Sequence, residues 1–440
     1  MSYPIDVKNI LLQEISLIAQ SPESFCKHPG RDFTRTRKIS FTDLILLYLS
    51  MEAETSKMEL LRYFSFDPAA VPSNSAFIQQ RNKLLPDAFS SLFYKFNAHF
   101  HPSLYHEKYQ LIACDGSDFS YTRDPSETEC YFPPNGTSTN GYNQIILVAL
   151  YDILSQRFCD AIIQPGRKRN EYLALAQLER RFPASDSIPV FIADRGFASY
   201  NIFAHAQERG FCFLIRANDK RFSRLLGSDF PDQECFDLQI HRILTRSNSR
   251  RKHLHPEMEE QYRFISHEVS FDFIESGSGV EYPISLRVLR FKISEEGYEN
   301  IITNLPADQF PMEEIKKIYH LRWDIETSFR ELKYILGASR FHSKKKDSLE
   351  MELWARLILY NFCSIITAHV AVEKKDSKHT YQVNVTVAYK ICRHFLGIHS
   401  GEDPPDIEGL IGQNLLPVRP KRNYSRHKRF RAPVSFTYRF

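Results

Sequence analysis

The sequence predicts an α/β protein with a helical N-terminal domain. Between Tyr109 and Ala217, apolar runs of strand length alternate with two amphipathic helical patterns. The residues before Tyr109 show helical periodicity interrupted by prolines, which end helices. A third segment, Ile315–Leu336, contains no Pro or Gly and is long enough for about six helical turns. These three observations define the predicted fold class.

Residues 1–105 are predicted to form a small helical bundle, which is a candidate DNA-binding domain. Ser73 is placed to cap a short helix, and prolines separate this helix from its neighbours. The helix carries Arg81 and ends beside Lys83, with amide side chains nearby. Such side chains can contact base edges and phosphates. A capped surface helix without a ligand is the alternative interpretation.

Residues 106–217 form the first part of the predicted core. Three apolar runs precede a helix, a strand, a second helix and a final strand, and a short connection joins the second and third runs as a hairpin. Three antiparallel strands followed by helix, strand, helix and strand is the order of a ribonuclease H-like fold. In that fold the first and fourth strands are neighbours.

Two aspartates are predicted to converge at the edge of this sheet. Asp115 ends the first apolar run and is followed by Gly116, which predicts a strand leaving the core into a turn. Asp194 follows the run of the fourth strand in the same way. Because an aspartate at a strand end often only caps a turn, neither residue is strong evidence alone. Asp118 is the alternative to Asp115.

The Ile315–Leu336 helix is predicted to present two stripes. One is apolar and faces a core. The other surrounds one acid with four donors, and its members recur at helical spacing: Tyr319, Arg322, Glu326, Arg330 and Lys333. The plain alternative is a solvated face whose i,i+4 ion pairs contribute about 0.3–0.5 kcal/mol each. Asp324 is a weaker candidate than Glu326 for a functional acid.

Composition limits the compartment and the partners. The chain has 440 residues, a hydrophobic fraction of 42%, a charged fraction of 25%, and neither a membrane-length apolar run nor a signal pattern. Its eight cysteines show no CxxC pairing. We therefore expect a cytosolic protein. The net charge of +4 is concentrated in the segment from Pro417, which holds eight Lys or Arg and no acid. Such a segment favours nucleic acid, although basic tails are also often simply solvated.

The second stripe reads Tyr-x2-Arg-x3-Glu-x6-Lys, at Tyr319, Arg322, Glu326 and Lys333. This order resembles the signature that IS4-family transposases carry around the third acid of their DDE triad. Asp194 opens the motif DRGF, which resembles the second motif of that family. The resemblance extends from about Asp32 to the C-terminus. The irregular, strand-rich residues 218–305 resemble the β-rich insertion of these enzymes, which leaves 306–372 as the second part of the core and 373–440 as a C-terminal helical segment with the basic tail.

The resemblance implies a catalytic triad of Asp115, Asp194 and Glu326. Three carboxylates are sufficient to hold two Mg²⁺ ions, with Mn²⁺ as a substitute, for in-line phosphodiester chemistry. Tyr319, Arg322 and Lys333 are then expected to hold phosphates of the transposon end. Other expected DNA contacts are cationic or aromatic: Arg81, Lys83, Trp323, Arg330, Lys344, Lys345, Lys421, Arg422 and Arg429.

The function implied by the resemblance is cut-and-paste DNA transposition. We expect a homodimer on paired terminal inverted repeats, cleavage at the transposon ends and strand transfer into target DNA, in the bacterial cytoplasm at the nucleoid. Two alternatives remain open. One is a metal-dependent nuclease of the same fold that never joins DNA, and the other is a transposase-derived DNA-binding protein without activity. A glycosidase-type carboxylate pair gives no role to Tyr319, Arg322, Lys333 or the tail.

Overall fold

The computed structural model describes residues 2–135, 138–247, 261–293, 297–370, 380–397 and 404–418. The strands are β1 (Tyr109–Tyr121), β2 (Tyr131–Phe132), β3 (Tyr142–Asp152), β4 (Arg157–Pro165), β5 (Ile188–Ala193), β6 (Cys212–Ala217), β7 (Phe236–Thr245), β8 (Tyr262–Phe264), β9 (Glu281–Lys292), β10 (Tyr298–Thr303), β11 (Tyr381–Val383) and β12 (Leu415–Pro417).

The helices are α1 (Tyr3–Ala19), α2 (Phe41–Ser50), α3 (Ser56–Tyr63), α4 (Asn74–Arg81), α5 (Asp87–Asn97), α6 (Glu171–Arg181), α7 (Tyr200–Glu208), α8 (Asp219–Leu226), α9 (Met312–Leu321), α10 (Trp323–Tyr334), α11 (Lys346–His369), α12 (Val385–Gly397) and α13 (Ile407–Gln413). None of the described helices is both long and apolar enough to cross a bilayer.

Ten of the strands form one mixed sheet in the order β2-β3-β1-β5-β6-β10-β9-β7-β8, with β4 paired to β3. Strands β1, β3 and β4 are antiparallel neighbours. Strands β1, β5 and β6 are parallel neighbours. The path β4-β3-β1-β5-β6 confirms the predicted ribonuclease H-like fold, including the contact between the first strand and the strand that precedes Asp194.

Strand β1 is longer than predicted. The expected exit at Asp115 is wrong, because β1 continues to Tyr121 and pairs with β3 throughout. On its other side β5 pairs with β1 only as far as Cys114, which lies opposite Ala193. Beyond Cys114, β1 therefore keeps one partner strand and presents its other edge to the space past the end of β5.

The strands of the insertion extend the central sheet. Strand β10 pairs antiparallel with β6, and β9 and β7 follow it outward. An unpaired edge strand leaves its N–H and C=O groups without partners, and β10 supplies these partners to β6. As a result, strands β7, β9 and β10 continue the same sheet directly from the core strand β6.

Each face of the sheet carries its own apolar core. On one face, residues such as Ala113, Ile192 and Leu214 pack with α9, α10 and α11. On the other face, Cys114, Ala193 and Ile215 pack with α6 and α7. The N-terminal helices α1, α2 and α5 pack against α11, so they share the first core.

The predicted helix Ile315–Leu336 is interrupted at Arg322. The N–H of Arg322 donates to Tyr319 O at 3.2 Å, and the N–H of Ile325 donates to Arg322 O at 3.2 Å. These bonds span three residues rather than four, so the chain tightens between α9 and α10. No Pro or Gly marks the position, which explains why the sequence predicted one continuous helix.

A buried charged cluster joins the N-terminal helices to the loop after α10. His342 is 2% exposed, and its Nδ1 lies 3.2 Å from Glu352 Oε2 while its Nε2 lies 3.5 Å from Glu59 Oε1. Burial alone lowers the pKa of an imidazole, but the two carboxylates outweigh burial and raise the pKa of His342 to about 9. The imidazolium therefore links α3 and α11 through a loop that begins just past α10.

Candidate active site

The register of the parallel strands aligns three polar residues at one edge of the sheet. Cys114, Ala193 and Ile215 are paired across β1, β5 and β6. The next residue on each strand is Asp115, Asp194 or Arg216. Because neighbouring residues of a strand point to opposite faces and the paired residues point into the second core, this row faces the side of α9 and α10.

Helix α10 supplies the third predicted acid. Arg322 is 3% exposed, and its Nη2 donates to Glu326 Oε1 at 3.0 Å. Both residues interact electrostatically with Asp115, so Glu326 and Asp115 share one site. Asp194 interacts electrostatically with Tyr319 of α9 and accepts the backbone N–H of Arg195 at 2.7 Å. The three acids therefore lie around the junction of α9 and α10.

The pKa of Asp115 reflects a buried carboxyl group with acidic neighbours. Burial raises it to about 6. A hydrogen bond from Gly116 N–H at 2.8 Å and the Arg322 guanidinium oppose this rise, whereas Glu326 and Glu171 add to it. A carboxyl group with a raised pKa among other acids is typical of a functional site. A bound cation would relieve the repulsion between these groups.

The donor set matches hard divalent cations in kind. All the acids of the site offer carboxylate oxygens, the ligands that Mg²⁺ and Mn²⁺ prefer. Across the described ranges, no group of three His, Cys, Asp or Glu side chains is close enough to hold a single ion. Joint metal binding by Asp115, Asp194 and Glu326 therefore stays a prediction.

Two buried donors of the site have no hydrogen-bond partner among the described residues. They are the Tyr319 hydroxyl, on a residue that is 3% exposed, and Arg322 Nε. Burial also raises the pKa of Tyr319 to about 12, so its hydroxyl keeps its proton. A buried donor without an acceptor costs about 1–3 kcal/mol. An acceptor brought by a ligand, such as a phosphate oxygen, would remove that cost.

Lys333 lies on the same side, with its Nζ 4.8 Å from the centre of the Phe119 ring. Burial lowers the pKa of Lys333, and Asp118 and Asp115 offset part of that shift. A cation held near two acids contributes positive charge to a substrate that carries phosphates. Tyr319, Arg322 and Lys333 thus all lie near the acids, as the signature implied.

Tyr319→Phe tests the role of the unpartnered hydroxyl. We expect the free energy of unfolding to stay within about 0.5 kcal/mol of the wild type or to rise, because no internal hydrogen bond is lost. Affinity for a duplex DNA that carries the ends flanking the gene, measured by fluorescence anisotropy, should fall several-fold. Tyr334→Phe, at a position that is 74% exposed, is the matched control. Unchanged DNA affinity in Tyr319→Phe would contradict the phosphate-binding role.

Two charged residues near the acids, Arg216 and Glu299, were not predicted from the sequence. Arg216 ends the apolar run of β6, and its Nη1 lies 3.5 Å from Glu299 Oε1 on β10. Burial raises the pKa of Glu299, and Asp194 and Arg322 are among its charged neighbours. Only the strand register reveals that Arg216 continues the row of Asp115 and Asp194. The one available signal was a charged residue at the end of an apolar run, the same signal that marked both aspartates.

The two alternative acids point away from the Asp115 and Glu326 sides of their elements. Asp118 is exposed on the opposite face of β1 and accepts Arg169 Nη1 at 3.3 Å. Asp324 is two residues from Glu326 on α10, which directs it away from the Glu326 side of the helix. Its pKa is raised by burial, and His320 partly offsets this shift. The geometry favours Asp115 and Glu326 over these alternatives.

The remaining predicted DNA contacts divide by exposure. Arg81 needs correction as a surface contact, because it is 5% exposed, donates to His342 O at 3.1 Å and packs on Phe77. Trp323 is 43% exposed with the Arg322 guanidinium 5.0 Å from its ring centre. The half-buried or exposed cations are Lys83, Arg330, Lys344 and Lys345. Lys421, Arg422 and Arg429 lie outside the described residues.

Comparison with known proteins is consistent with this geometry. The profile of the family described as "Transposase DDE domain" matches residues 106–362. The chain is 21% identical over 245 residues to the transposase of insertion sequence element IS231C from Bacillus thuringiensis subsp. berliner, covering 49% of this chain and 48% of the relative. It is 23% identical over 369 residues to transposase InsG of IS4 from Escherichia coli (strain K12), covering 80% and 75%.

Two further proteins are similar to this chain. The transposase of IS231B from Bacillus thuringiensis subsp. berliner is 21% identical over 397 residues, covering 78% of each chain. Among solved structures, a piggyBac transposase in a synaptic complex with hairpin DNA is similar with a TM-score of 0.45 and 12% identity, covering 90% of this chain and 80% of that chain.

The strand order is that of a ribonuclease H-like protein, and Asp115 and Asp194 directly follow paired residues of the neighbouring parallel strands β1 and β5. These features define the class of protein. The family match covers more than half of the chain. The chain belongs to the transposase DDE domain family, and its relatives are IS4-type and IS231 insertion-sequence transposases.

Proposed function

We propose that this DDE transposase moves an insertion sequence by cut-and-paste transposition, with Asp115, Asp194 and Glu326 as its catalytic acids. The observation that carries the proposal is the meeting of these acids with two unpartnered buried donors at one edge of the sheet. Asp115 and Asp194 follow paired residues of β1 and β5. Tyr319 and Arg322 carry the unpartnered donors, and they interact electrostatically with Asp194 and Asp115, respectively.

The three acids would hold divalent cations, Mg²⁺ in the cell and Mn²⁺ as a substitute. Such ions make an attacking oxygen a better nucleophile and neutralise charge on the leaving oxygen. The planar guanidinium of Arg322 can donate two parallel hydrogen bonds to phosphate oxygens, and the ammonium group of Lys333 adds a positive charge. Tyr319 donates its hydroxyl. In the first step these residues orient the phosphate at the transposon end for hydrolysis. In the later step they orient a phosphate of the target DNA for attack by the freed 3′-hydroxyl.

The DNA partner is proposed to contact the N-terminal helices as well. Four cations, Arg31, Arg35, Arg37 and Lys83, line a cavity of about 720 Å³ beside α2 and α4. None of the four forms an ion pair with a described residue, so their charge is available to phosphates. We further propose that two copies assemble on paired terminal inverted repeats, and that the protein acts in the bacterial cytoplasm at the nucleoid.

The test incubates purified full-length protein with Mg²⁺, a labelled fragment carrying the ends that flank the gene, and a supercoiled target. Wild type should nick the ends and yield joined product, and Glu326→Gln should yield neither while it still binds the fragment. The bond from Arg322 can persist to the amide oxygen of the new side chain, so the variant keeps the local geometry and loses one charge.

Other outcomes identify the alternatives. Cleavage by the wild type without joined product would support a nuclease of the same fold. Binding without cleavage by either protein would support a DNA-binding protein derived from a transposase. Undiminished cleavage by Glu326→Gln would remove Glu326 from the catalytic acids.

A further inference from the structure

The cavity beside α2 and α4 has the size and the charge of a site for a small anionic ligand. Its volume of about 720 Å³ lies within the range of about 300–1,000 Å³ that ligand pockets occupy. Four cations line it, namely Arg31, Arg35, Arg37 and Lys83. None of the described residues that line the cavity is acidic. The cavity is therefore suited to a ligand that carries phosphate.

One buried amide of the cavity has no internal partner. Gln80 of α4 lines the cavity and is 8% exposed, and its Oε1 accepts no hydrogen bond from any described residue. Buried polar atoms in folded proteins are nearly always hydrogen-bonded, because a buried acceptor that finds no donor loses its hydration and gains nothing in exchange. A ligand with an N–H group would supply the donor.

An aromatic ring lines the same cavity on a strained backbone. Phe33 is half-buried and has a φ of +56°, in the left-handed region that bulky residues rarely adopt. Asp32 Oδ2 accepts the N–H of His28 at 3.1 Å, which fixes the chain before Phe33. Thr34 Oγ1 donates to Arg31 O at 3.1 Å, which closes the turn after it. Strain of this kind persists where the surroundings enforce it, and it is frequent at ligand-binding sites.

A phosphate, a flat ring and an N–H group occur together in a nucleotide. We propose that the cavity binds one unpaired nucleotide of DNA, whose phosphate contacts the cations, whose base stacks on Phe33 and whose N–H group donates to Gln80. Each DNA base offers a face for stacking and an N–H group on its pairing edge. A base that is still paired in a duplex cannot enter such a recess, so the nucleotide has to leave the helix or belong to a single strand.

This inference rests on the proposed contact between the N-terminal helices and DNA, and it adds the form of DNA that enters the cavity. A free nucleotide has the same chemistry and is the other source of such a ligand. The competing explanation is a hydrated basic surface, in which solvent satisfies Gln80 and the cations contact only the outside of a duplex. That explanation gives no role to Phe33.

Binding of two labelled probes to the full-length protein, measured by fluorescence anisotropy, tests the proposal. One probe is a short single-stranded oligonucleotide, and the other has the same phosphates but only abasic residues. We expect Phe33→Leu to weaken binding of the first probe about tenfold, the size of effect found for base stacking on an aromatic ring. Gln80→Leu should weaken it several-fold. Neither variant should change binding of the abasic probe.

Arg35→Gln should behave differently, because it removes a contact to phosphate rather than to a base. We expect this variant to weaken binding of both probes by the same factor. The slope of log K against log[salt] should become shallower by about 0.7, the value for one phosphate contact of a single strand.

Two residues provide matched controls. Gln79 is exposed beside Gln80 on α4 and does not line the cavity, so Gln79→Leu should bind both probes as the wild type does. Phe66 also has a left-handed backbone, with a φ of +58°, but it is 58% exposed and lies outside the cavity lining. Phe66→Leu is therefore the control for Phe33→Leu. Gln80→Leu should keep or raise the thermal midpoint, because the acceptor it removes has no described donor.

The outcomes decide between the explanations. If Phe33→Leu and Gln80→Leu bind the oligonucleotide as tightly as the wild type, or no more weakly than the two controls, the cavity holds no base and the inference is overturned. Equal loss of both probes in these variants would also overturn it, since only phosphate binding would then be affected. Displacement of the oligonucleotide from the wild type by an equal concentration of a nucleoside triphosphate would overturn the assignment to DNA in favour of a free nucleotide.

The labelled-fragment assay reports on the proposed function separately. A wild type that binds the oligonucleotide through Phe33 and Gln80, but neither nicks nor joins the end fragment, would support this inference and contradict cut-and-paste transposition. A wild type that nicks and joins, with no loss of oligonucleotide binding in either variant, would support transposition and overturn this inference.

Discussion

Asp115→Asn is expected to reduce DNA strand cleavage by about 10³-fold or more, as for groups that act in the transition state. The same variant should be more stable than the wild type in metal-free buffer at pH 8. Asp115 is a carboxyl group that burial and its acidic neighbours make costly to ionise. Asn keeps its size and most of its hydrogen-bonding capacity, and it removes the charge.

The pH dependence of this gain follows from the raised pKa. In the folded protein the pKa is about 6, whereas the ordinary value is 3.8. The folded state therefore binds this proton more tightly than the unfolded chain does. The stability penalty of Asp115 is absent below pH 3.8, grows as the pH rises, and is complete above about pH 6. Asp115→Asn should thus gain about 1–3 kcal/mol at pH 8 and nothing at about pH 3.5.

Chemical denaturation at the two pH values measures the gain, and the labelled-fragment assay measures cleavage. Mg²⁺ should stabilise the wild type and not Asp115→Asn, because a ligand stabilises only the state that binds it. Asp118→Asn, which removes an exposed acid on the opposite face of β1, is the control and should still cleave. Cleavage by Asp115→Asn at the wild-type rate would remove Asp115 from the site.

His342→Leu is expected to destabilise the protein by about 3–5 kcal/mol, the range for removal of one partner from a buried ion pair. The variant leaves Glu59 and Glu352 buried, at 3% exposure each, without the imidazolium between them. It also removes the Nε2 donor that lies 3.1 Å from Glu54 O. Urea denaturation at pH 7 measures the loss. The exposed His101→Leu is the matched control.

A charge-removing triple variant distinguishes this mechanism from simple loss of packing. His342→Leu combined with Glu59→Gln and Glu352→Gln should recover a substantial part of the stability, because no uncompensated charge then remains. If the triple variant is no more stable than His342→Leu, the carboxylates are not the cause.

The wild type should show a matching dependence on pH. Because the pKa of His342 is raised from 6.5 to about 9 in the folded protein, its stabilising contribution is complete below pH 6.5 and is lost as the pH rises through 9. The pKa of Glu59 is lowered, since bonds from His342 and from backbone N–H groups outweigh its burial. Its contribution is present above pH 4.5 and is lost in acid. His342→Leu should flatten the alkaline decline.

The order of strands and helices in the core could be predicted because it depends on local patterns. The runs before Asp115 and Asp194 are apolar on both faces, as strands buried between two helical layers must be. The end of β1 was mispredicted because the segment from Gly116 to Tyr121 is polar on one side. Its Phe119 and Tyr121 nevertheless alternate inward and keep it in the sheet. The interruption of the helix at Arg322 could not be predicted, because no Pro or Gly marks it.

The acids that we propose as catalytic could be named before the fold was known, since each one ends an apolar run or belongs to a spaced signature on one helix face. Arg216 and Glu299 could not, because their positions depend on which strands pair and in which register. Arg81 was likewise expected to contact DNA, but it is buried and donates a hydrogen bond to the backbone carbonyl of His342. Periodicity along the chain indicates which residues share a face of one element. Only packing between distant segments decides which faces meet, which charges lose their water, and therefore which side chains act together.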